Sequence, residues 1–190
     1  MSSKIEKSLI VIKEMLKDRK FDLISEDIND KNVILVSQNE LNNKSIVYYI
    51  NDKKNMSNKN FGNIITSLQK THDLTNDDKI IFILNFLDES FKLDIPAKYK
   101  DYENHMIQIF NIKRLLINIT KHSLSPEYQK LNDEQISLLK EDYKLDNLAK
   151  ISVDDPICKY LDLKIDDVLK IIRNSNNSYK YITYRIVIKK

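Results

Sequence analysis

The chain has 190 residues, 42% hydrophobic and 31% charged, with 31 Lys plus Arg against 28 Asp plus Glu. That apolar content supports one or two cored domains and excludes a disordered chain, while a net charge of +3 gives no polycation and does not imply whole-molecule binding to nucleic acid. A single cysteine (Cys158) excludes a disulfide framework and a thiolate zinc cluster, and a single glycine (Gly62) excludes the glycine-rich loops that cradle phosphates.

In chain order, Ile5, Leu9, Ile12 and Leu16 recur at helical spacing and predict an amphipathic helix from Lys4 to about Lys20. Residues 32–37 (Val33-Ile34-Leu35-Val36) and 45–50 (Ile46-Val47-Tyr48-Tyr49) read as two paired strands joined by a polar turn. Residues 51–63 read as an Asn-rich loop, followed by a short helix over 62–72. The unbroken apolar run 80–84 within 79–85 predicts a strand buried on both faces. Residues 88–104 carry a weak pattern broken by Pro96, and 106–110 and 115–119 read as further strands.

The remainder is read more directly. Asn132-Asp133-Glu134-Gln135 fits a capping box opening a helix through Ile136 and Leu139 that ends near Tyr143. Asp155-Pro156 fits a cap followed by proline at the first helical position. Residues 168–173 and 181–188 predict a hairpin around the polar turn 174–178. The fold class is therefore α/β (α+β), with an N-terminal domain over 1–114 and a C-terminal one over 115–190. The three scattered histidines (His72, His105, His122) lack metal-ligand spacing. No run approaches the ~18 apolar residues of a membrane span, and the N-terminus lacks a signal-peptide core. The expectation is a soluble protein of a reducing compartment, without membrane, cofactor, metal or small-molecule ligand.

A family resemblance rests on specific residues. Leu115-Leu116-Ile117-Asn118-Ile119-Thr120-Lys121-His122 precedes Pro126-Glu127, and Asp155-Pro156-Ile157-Cys158-Lys159-Tyr160-Leu161 precedes Leu163-Lys164. Val168-Leu169-Lys170-Ile171-Ile172-Arg173 and Tyr181-Ile182-Thr183-Tyr184-Arg185-Ile186-Val187 complete the pattern. In this order the chain resembles the fifth common subunit of eukaryotic DNA-directed RNA polymerases, whose archaeal counterpart is similar to the C-terminal part alone. The resemblance before Leu115 rests on the opening helix, ending Asp18-Arg19-Lys20-Phe21, and on Pro96-Ala97-Lys98.

The resemblance implies a non-catalytic subunit. Its C-terminal domain docks on the largest polymerase subunit, and its N-terminal domain supports the jaw beside downstream DNA. The implied partner-binding residues are His122, Pro126, Tyr160, Lys170, Ile171, Arg173, Tyr181, Thr183, Tyr184 and Arg185. The chain departs from the family at Asp154, Asp162 and Asp166, where glycine is usual; Asp is among the side chains that best tolerate a left-handed backbone. Tyr128 stands near the position of a second family histidine. The Lys-, Asn- and Ile-rich composition reads as the coding bias of an AT-rich genome, and with the short N-terminal part it points to a large DNA virus or a divergent protist.

After Asp167 the chain has no acidic residue, while Lys170, Arg173, Lys180, Arg185, Lys189 and Lys190 contribute +6. Interleaved with Ile171, Tyr181 and Thr183, these charges form a surface suited to an acidic partner, unless the strand apolar residues simply fill the domain's own core. Lys53, Lys54 and Lys59 in the Asn-rich loop are the DNA-proximal candidates, with a solvated loop as the plainer account. His122 reads as a hydrogen-bonded structural residue and Cys158 as a small buried hydrophobe. The enzyme alternative is a Mg-dependent nuclease using Asp52-Lys53-Lys54 with Glu40 or Asp30; a further alternative is a free-standing transcription regulator.

Overall fold

In the computed structural model, which describes residues 3–29, 33–52, 58–75, 77–86, 107–174 and 180–189, the chain divides into two units, Met1–Ile117 and Asn118–Lys190. The expected mixed α/β class holds: the units carry two sheets and four α-helices among the described residues. None of these helices is long and apolar enough to cross a membrane.

In the first unit, α1 (Ser3–Asp18) buries the predicted stripe of Ile5, Leu9, Ile12 and Leu16, together with Val11 and Met15. A five-stranded sheet follows in the order β1 (Asp22–Ile28), β2 (Val33–Gln38), β3 (Lys44–Ile50), β4 (Lys79–Leu84) and β5 (Ile107–Asn111). The first three strands run antiparallel, and β4 lies parallel to both β3 and β5. The parallel step from β3 to β4 requires a crossover, which contains α2 (Asn58–His72).

Alternation divides this sheet's side chains between the two helices. On one face Ile46, Ile50, Ile80, Phe82 and Leu84 pack with Phe61, Ile65 and Leu68 of α2, and the Phe61 and Phe82 rings lie 4.8 Å apart. On the other, Tyr49 meets α1 through a buried 2.9 Å hydrogen bond with Ser8, and Arg19 donates to Gln108 at 2.9 Å. The run in β4 is buried on both faces because a helix covers each one.

Three features of this unit differ from the sequence reading. β1 carries no strand signal in the sequence, because Asp22, Glu26 and Asp27 interrupt its apolar pattern; it is an exposed edge strand, bulged at Ile24. Acidic side chains and a bulge are devices that blunt a sheet edge against unwanted pairing. α2 begins at Asn58, so Lys59 lies in its first turn and not in a loop. The strand expected over 115–119 is replaced by a 3-10 turn, Ile112–Leu115, capped by the Asn111 side chain, which accepts from the Lys113 N–H at 2.9 Å. Just beyond it, Asn118 Oδ1 accepts from both the N–H and the hydroxyl of Thr120. Such local bonds offer the backbone partners that compete with a ladder. The weak-pattern segment 88–104 lies outside the described residues.

In the second unit the strands are ordered β6 (Glu127–Lys130), β8 (Val168–Asn174), β9 (Lys180–Ile188) and β7 (Ala149–Ser152). α3 (Asp133–Asp142) opens with the predicted capping box, in which Asn132 and Gln135 bond each other's backbone N–H. α4 (Pro156–Tyr160) opens with Asp155 as its cap, accepting from the Ile157 N–H at 2.9 Å. Strands β6 and β7 are additions to the sequence reading. Each has only four residues and draws its order from pairing with the hairpin rather than from its own pattern.

With one glycine, and that within α2, the chain ends its helices on other residues. Lys20 (φ 63°), Asp73 (φ 47°) and Asp162 (φ 54°) stand left-handed just past α1, α2 and α4. Each is followed by an N–H reaching back into the helix: Phe21 to Leu16 O, Leu74 to Gln69 O and Leu163 to Cys158 O, at 2.9, 3.1 and 2.8 Å. This is the Schellman arrangement, which satisfies carbonyls that would otherwise lack partners. Asp166 (φ 70°) is also left-handed, so the substitution of Asp for family glycine meets its expected constraint at 162 and 166. Asp154 differs: it is not left-handed, and its carboxylate pairs with Lys159 Nζ at 2.9 Å. Lys20 lacks the short polar side chain that eases this conformation. Lys20→Gly is therefore expected to raise the unfolding free energy by about 1 kcal/mol in urea titration; no gain would show that the helix end is not strained.

Candidate subunit-docking surface

The β8–β9 hairpin sets which predicted residues are available to a partner. Its antiparallel register pairs Lys170 with Tyr184, Ile171 with Thr183 and Arg173 with Tyr181. Opposed residues share a face and neighbours alternate, so Lys170 and Tyr184 lie on one face and Ile171, Arg173, Tyr181, Thr183 and Arg185 on the other.

Three of the predicted contacts belong to the unit's own packing. Tyr184 packs against the cluster of Leu131, Leu139 and Val168 under α3, its ring 6.1 Å from that of Tyr143. Ile171 is only 4% exposed, beside buried Leu169 and Val187. Tyr160 is buried and accepts a 3.0 Å hydrogen bond from Asn118 Nδ2. An apolar strand residue reads the same in sequence whether it meets its own core or another chain, and only burial separates the two.

What remains accessible gathers at the hairpin's distal end. Arg173 and Lys180 are exposed, and so are Tyr181 (62%) and Ile182 (44%). Lys170, Thr183 and Arg185 are half-buried, and Arg185 Nη1 donates to Lys150 O at 3.3 Å. β6 runs antiparallel to β8 with Glu127 opposite Ile172, so half-buried Pro126 enters the sheet at the same end as Arg173. His122 is exposed in the preceding turn, where Nδ1 accepts from the Leu124 N–H at 3.3 Å.

Tyr128 is absent from the residues implied by the family resemblance, although its place near the family's second histidine is a signal. It lies on β6 opposite Ile171. Its phenol is pushed above the ordinary value, first by burial and then by the Asp155 carboxylate, with Arg173 and Arg185 opposing. Tyr128 is thus close to acidic and basic groups on the face that carries Arg173. Cys158 is fully buried, and its thiol is pushed from 9.0 up to about 12, first by burial and then by Asp155 and Asp167. It is the buried hydrophobe that its sequence position predicted.

In the first unit, Lys59 is exposed at the start of α2, while Lys53 and Lys54 lie outside the described residues. The nuclease pairing of Asp52 with Glu40 does not form: they flank opposite ends of β3, which at ~3.3 Å per residue spans about 20 Å. Asp30, the other candidate acid, lies outside the described residues. Among the described residues no three His, Cys, Asp or Glu side chains converge as metal ligands.

Comparison with known proteins matches the stretch of sequence that carries this sheet. Residues 117–187 match the family described as RNA polymerase Rpb5, C-terminal domain. Over 129 residues the chain is 30% identical to subunit rpabc1 of DNA-directed RNA polymerases I, II and III from Dictyostelium discoideum, covering 65% of this chain and 66% of that one. Residues 117–187 belong to the Rpb5 C-terminal domain family. Rpb5-family subunits RPABC1 from Caenorhabditis briggsae and Caenorhabditis elegans are 37% and 38% identical to it over 97 residues, 50% of this chain. Each match covers 43% of the nematode protein, so the chain spans less than two thirds of the length of these relatives.

Two outcomes follow from the buried groups. Cys158 is expected to react with iodoacetamide on the order of 10³ more slowly in the native chain at pH 8 than in urea, because a pKa raised from 9.0 to about 12 removes the thiolate. Equal rates by mass spectrometry would place the thiol at the surface. Tyr160→Phe is expected to lower stability by about 1 kcal/mol in thermal unfolding, because it removes the buried bond from Asn118 Nδ2 to the phenol oxygen; an unchanged midpoint would show that this bond contributes nothing.

Proposed function

We propose that this chain is a non-catalytic subunit of a multi-subunit DNA-directed RNA polymerase. Its C-terminal part, over 115–190, anchors it to the largest subunit, and its N-terminal part, over 1–114, supports the jaw beside downstream DNA. The reading is carried by the match of residues 117–187 to the Rpb5 C-terminal domain, a stretch that coincides with a folded unit presenting exposed cations and apolar side chains together. A partner surface of this kind combines an apolar centre with charges that set orientation and encounter rate.

In this reading Arg173, Tyr181, Thr183 and Arg185 face the partner, with Lys170, Pro126 and His122 at the margin. Ile171, Tyr184 and Tyr160 act by holding the hairpin in shape. Lys59, with Lys53 and Lys54, makes weak, sequence-independent contacts to DNA phosphates. Nucleotidyl transfer and its metal ions belong to other subunits. The chain works where its polymerase works: the nucleus for a cellular enzyme, a viral factory or virion for a viral one.

The test is purification through an affinity tag on the full chain. A stoichiometric subunit co-elutes with a chain of largest-subunit size through high salt. Arg173→Glu combined with Tyr181→Asp is expected to cut that recovery about tenfold with an unchanged thermal midpoint, since both side chains are exposed. Elution of the wild-type chain alone would overturn the proposal.

A further inference from the structure

The second sheet has an edge that its own strands leave incomplete. β8 pairs with β9 along residues 180–186, whereas β7 pairs with β9 only from Arg185 to Ile188. Before Ala149 the chain has turned into the 3-10 segment Leu145–Asn147. On the β7 side, residues 180–184 of β9 therefore have no strand beside them among the described residues.

Two hydrogen bonds show which backbone groups point that way. The Val187 N–H donates to Asp167 O on the β8 side, and the Val153 N–H donates to Ile188 O on the β7 side, both at 2.9 Å. Odd-numbered residues of β9 thus turn their N–H and C=O toward β8, and even-numbered ones toward β7. The pairing with β8 continues without a bulge to Lys180, so the alternation holds to the tip. Ile182 turns both its N–H and its C=O to the open edge, and Tyr184 turns its N–H there as well. Five residues at ~3.3 Å each give an edge about 16 Å long, without proline or bulge, flanked by exposed Tyr181 and Ile182.

The hairpin's own charge has one sign. Arg173 stands on one face and Lys170 and Lys180 on the other, with no acid on either strand of the hairpin. Glu127 is on β6, two strands from β9 and about 10 Å away at the usual strand spacing. A second copy of the chain offering the same edge would set lysine and arginine against their like, which disfavours self-pairing.

We propose that an extended acidic segment of the partner subunit adds to this sheet as a further strand along residues 180–184 of β9. The inference rests on the polymerase-subunit reading and specifies how that docking is made: main-chain bonds to Ile182 and Tyr184 supply the grip, and carboxylates of the added strand meet Arg173, Lys170 and Lys180.

The tagged full chain, purified with its co-eluting polymerase, supplies the test. Amide hydrogen exchange at Ile182 and Tyr184 is expected to slow at least about tenfold in the complex relative to the free chain. Ile182→Pro removes one outward N–H and no bond to β8, so it is expected to retain the native fold by circular dichroism and to lose recovery about tenfold. If the wild-type amides exchange at free-chain rates in the complex, strand addition is overturned. If Ile182→Pro co-elutes normally while the Arg173→Glu and Tyr181→Asp variant is released, strand addition is likewise overturned and the subunit reading stands. If the wild-type chain never co-elutes, both fail. Should Ile182→Pro not fold, the wild-type exchange measurement decides alone.

Discussion

The pairing of β8 with β9 is the interaction on which the C-terminal unit depends. Each of the other two strands joins the sheet through one member of this hairpin, β6 along β8 and β7 along β9. The register that sets Ile171 opposite Thr183 assigns every side chain of the hairpin to a face. One face goes under α3 through Val168 and Tyr184, and the other buries Leu169, Ile171 and Val187. A slip of one residue would exchange the two sets and place Lys170 where buried Leu169 or Ile171 belongs. Because the hairpin outruns both of its neighbours, its tip keeps apolar and cationic side chains in solvent. Buried core and solvent-exposed side chains therefore lie on the same two strands, at opposite ends.

A second constraint runs through both units. A chain with a single glycine has to close helices and turns with residues that meet steric resistance in the left-handed region. Lys20, Asn42, Asp73, Asp162 and Asp166 take this role, and four of the five are Asn or Asp. Side-chain hydrogen bonds hold the neighbouring turns. Asn39 Oδ1 accepts from the N–H groups of Leu41 and Asn43, and buried Asp78 accepts from the N–H of Lys44 and from the N–H and hydroxyl of Thr75. Asp167 accepts from the Lys164 N–H and from Lys130. Asn and Asp side chains thus close turns that glycine would otherwise close.

The first unit is organised differently, with its sheet covered by α2 on one face and α1 on the other. Its inner strand β4 is apolar on both sides and its edge strand β1 is acidic and bulged, so the two edges met in this chain have contrasting chemistry. β1 carries negative charge and an irregular register, both of which oppose strand addition; the open stretch of β9 carries positive charge and a regular one. Charge at an edge has to be read together with bulges and neighbours before it is taken as guarding or inviting a partner.

Amino-acid order alone carried the local structure. Helical spacing marked α1, the Asn132–Gln135 box and Asp155-Pro156 marked two helix starts, and β-branched runs marked β2, β3, β4 and the hairpin, because each signal acts within a few residues and needs no distant partner. The motifs in register from Leu115 onward likewise carried the family. Other features waited for tertiary structure. β1, β6 and β7 are short or polar and are held by ladder bonds to strands remote in sequence, while the apolar run after Leu115 took a capped turn instead of a ladder. Burial sorted Ile171, Tyr184 and Tyr160 from Arg173 and Tyr181, since side-chain type is the same in a core and at an interface, and only the surrounding chain determines which atoms meet water.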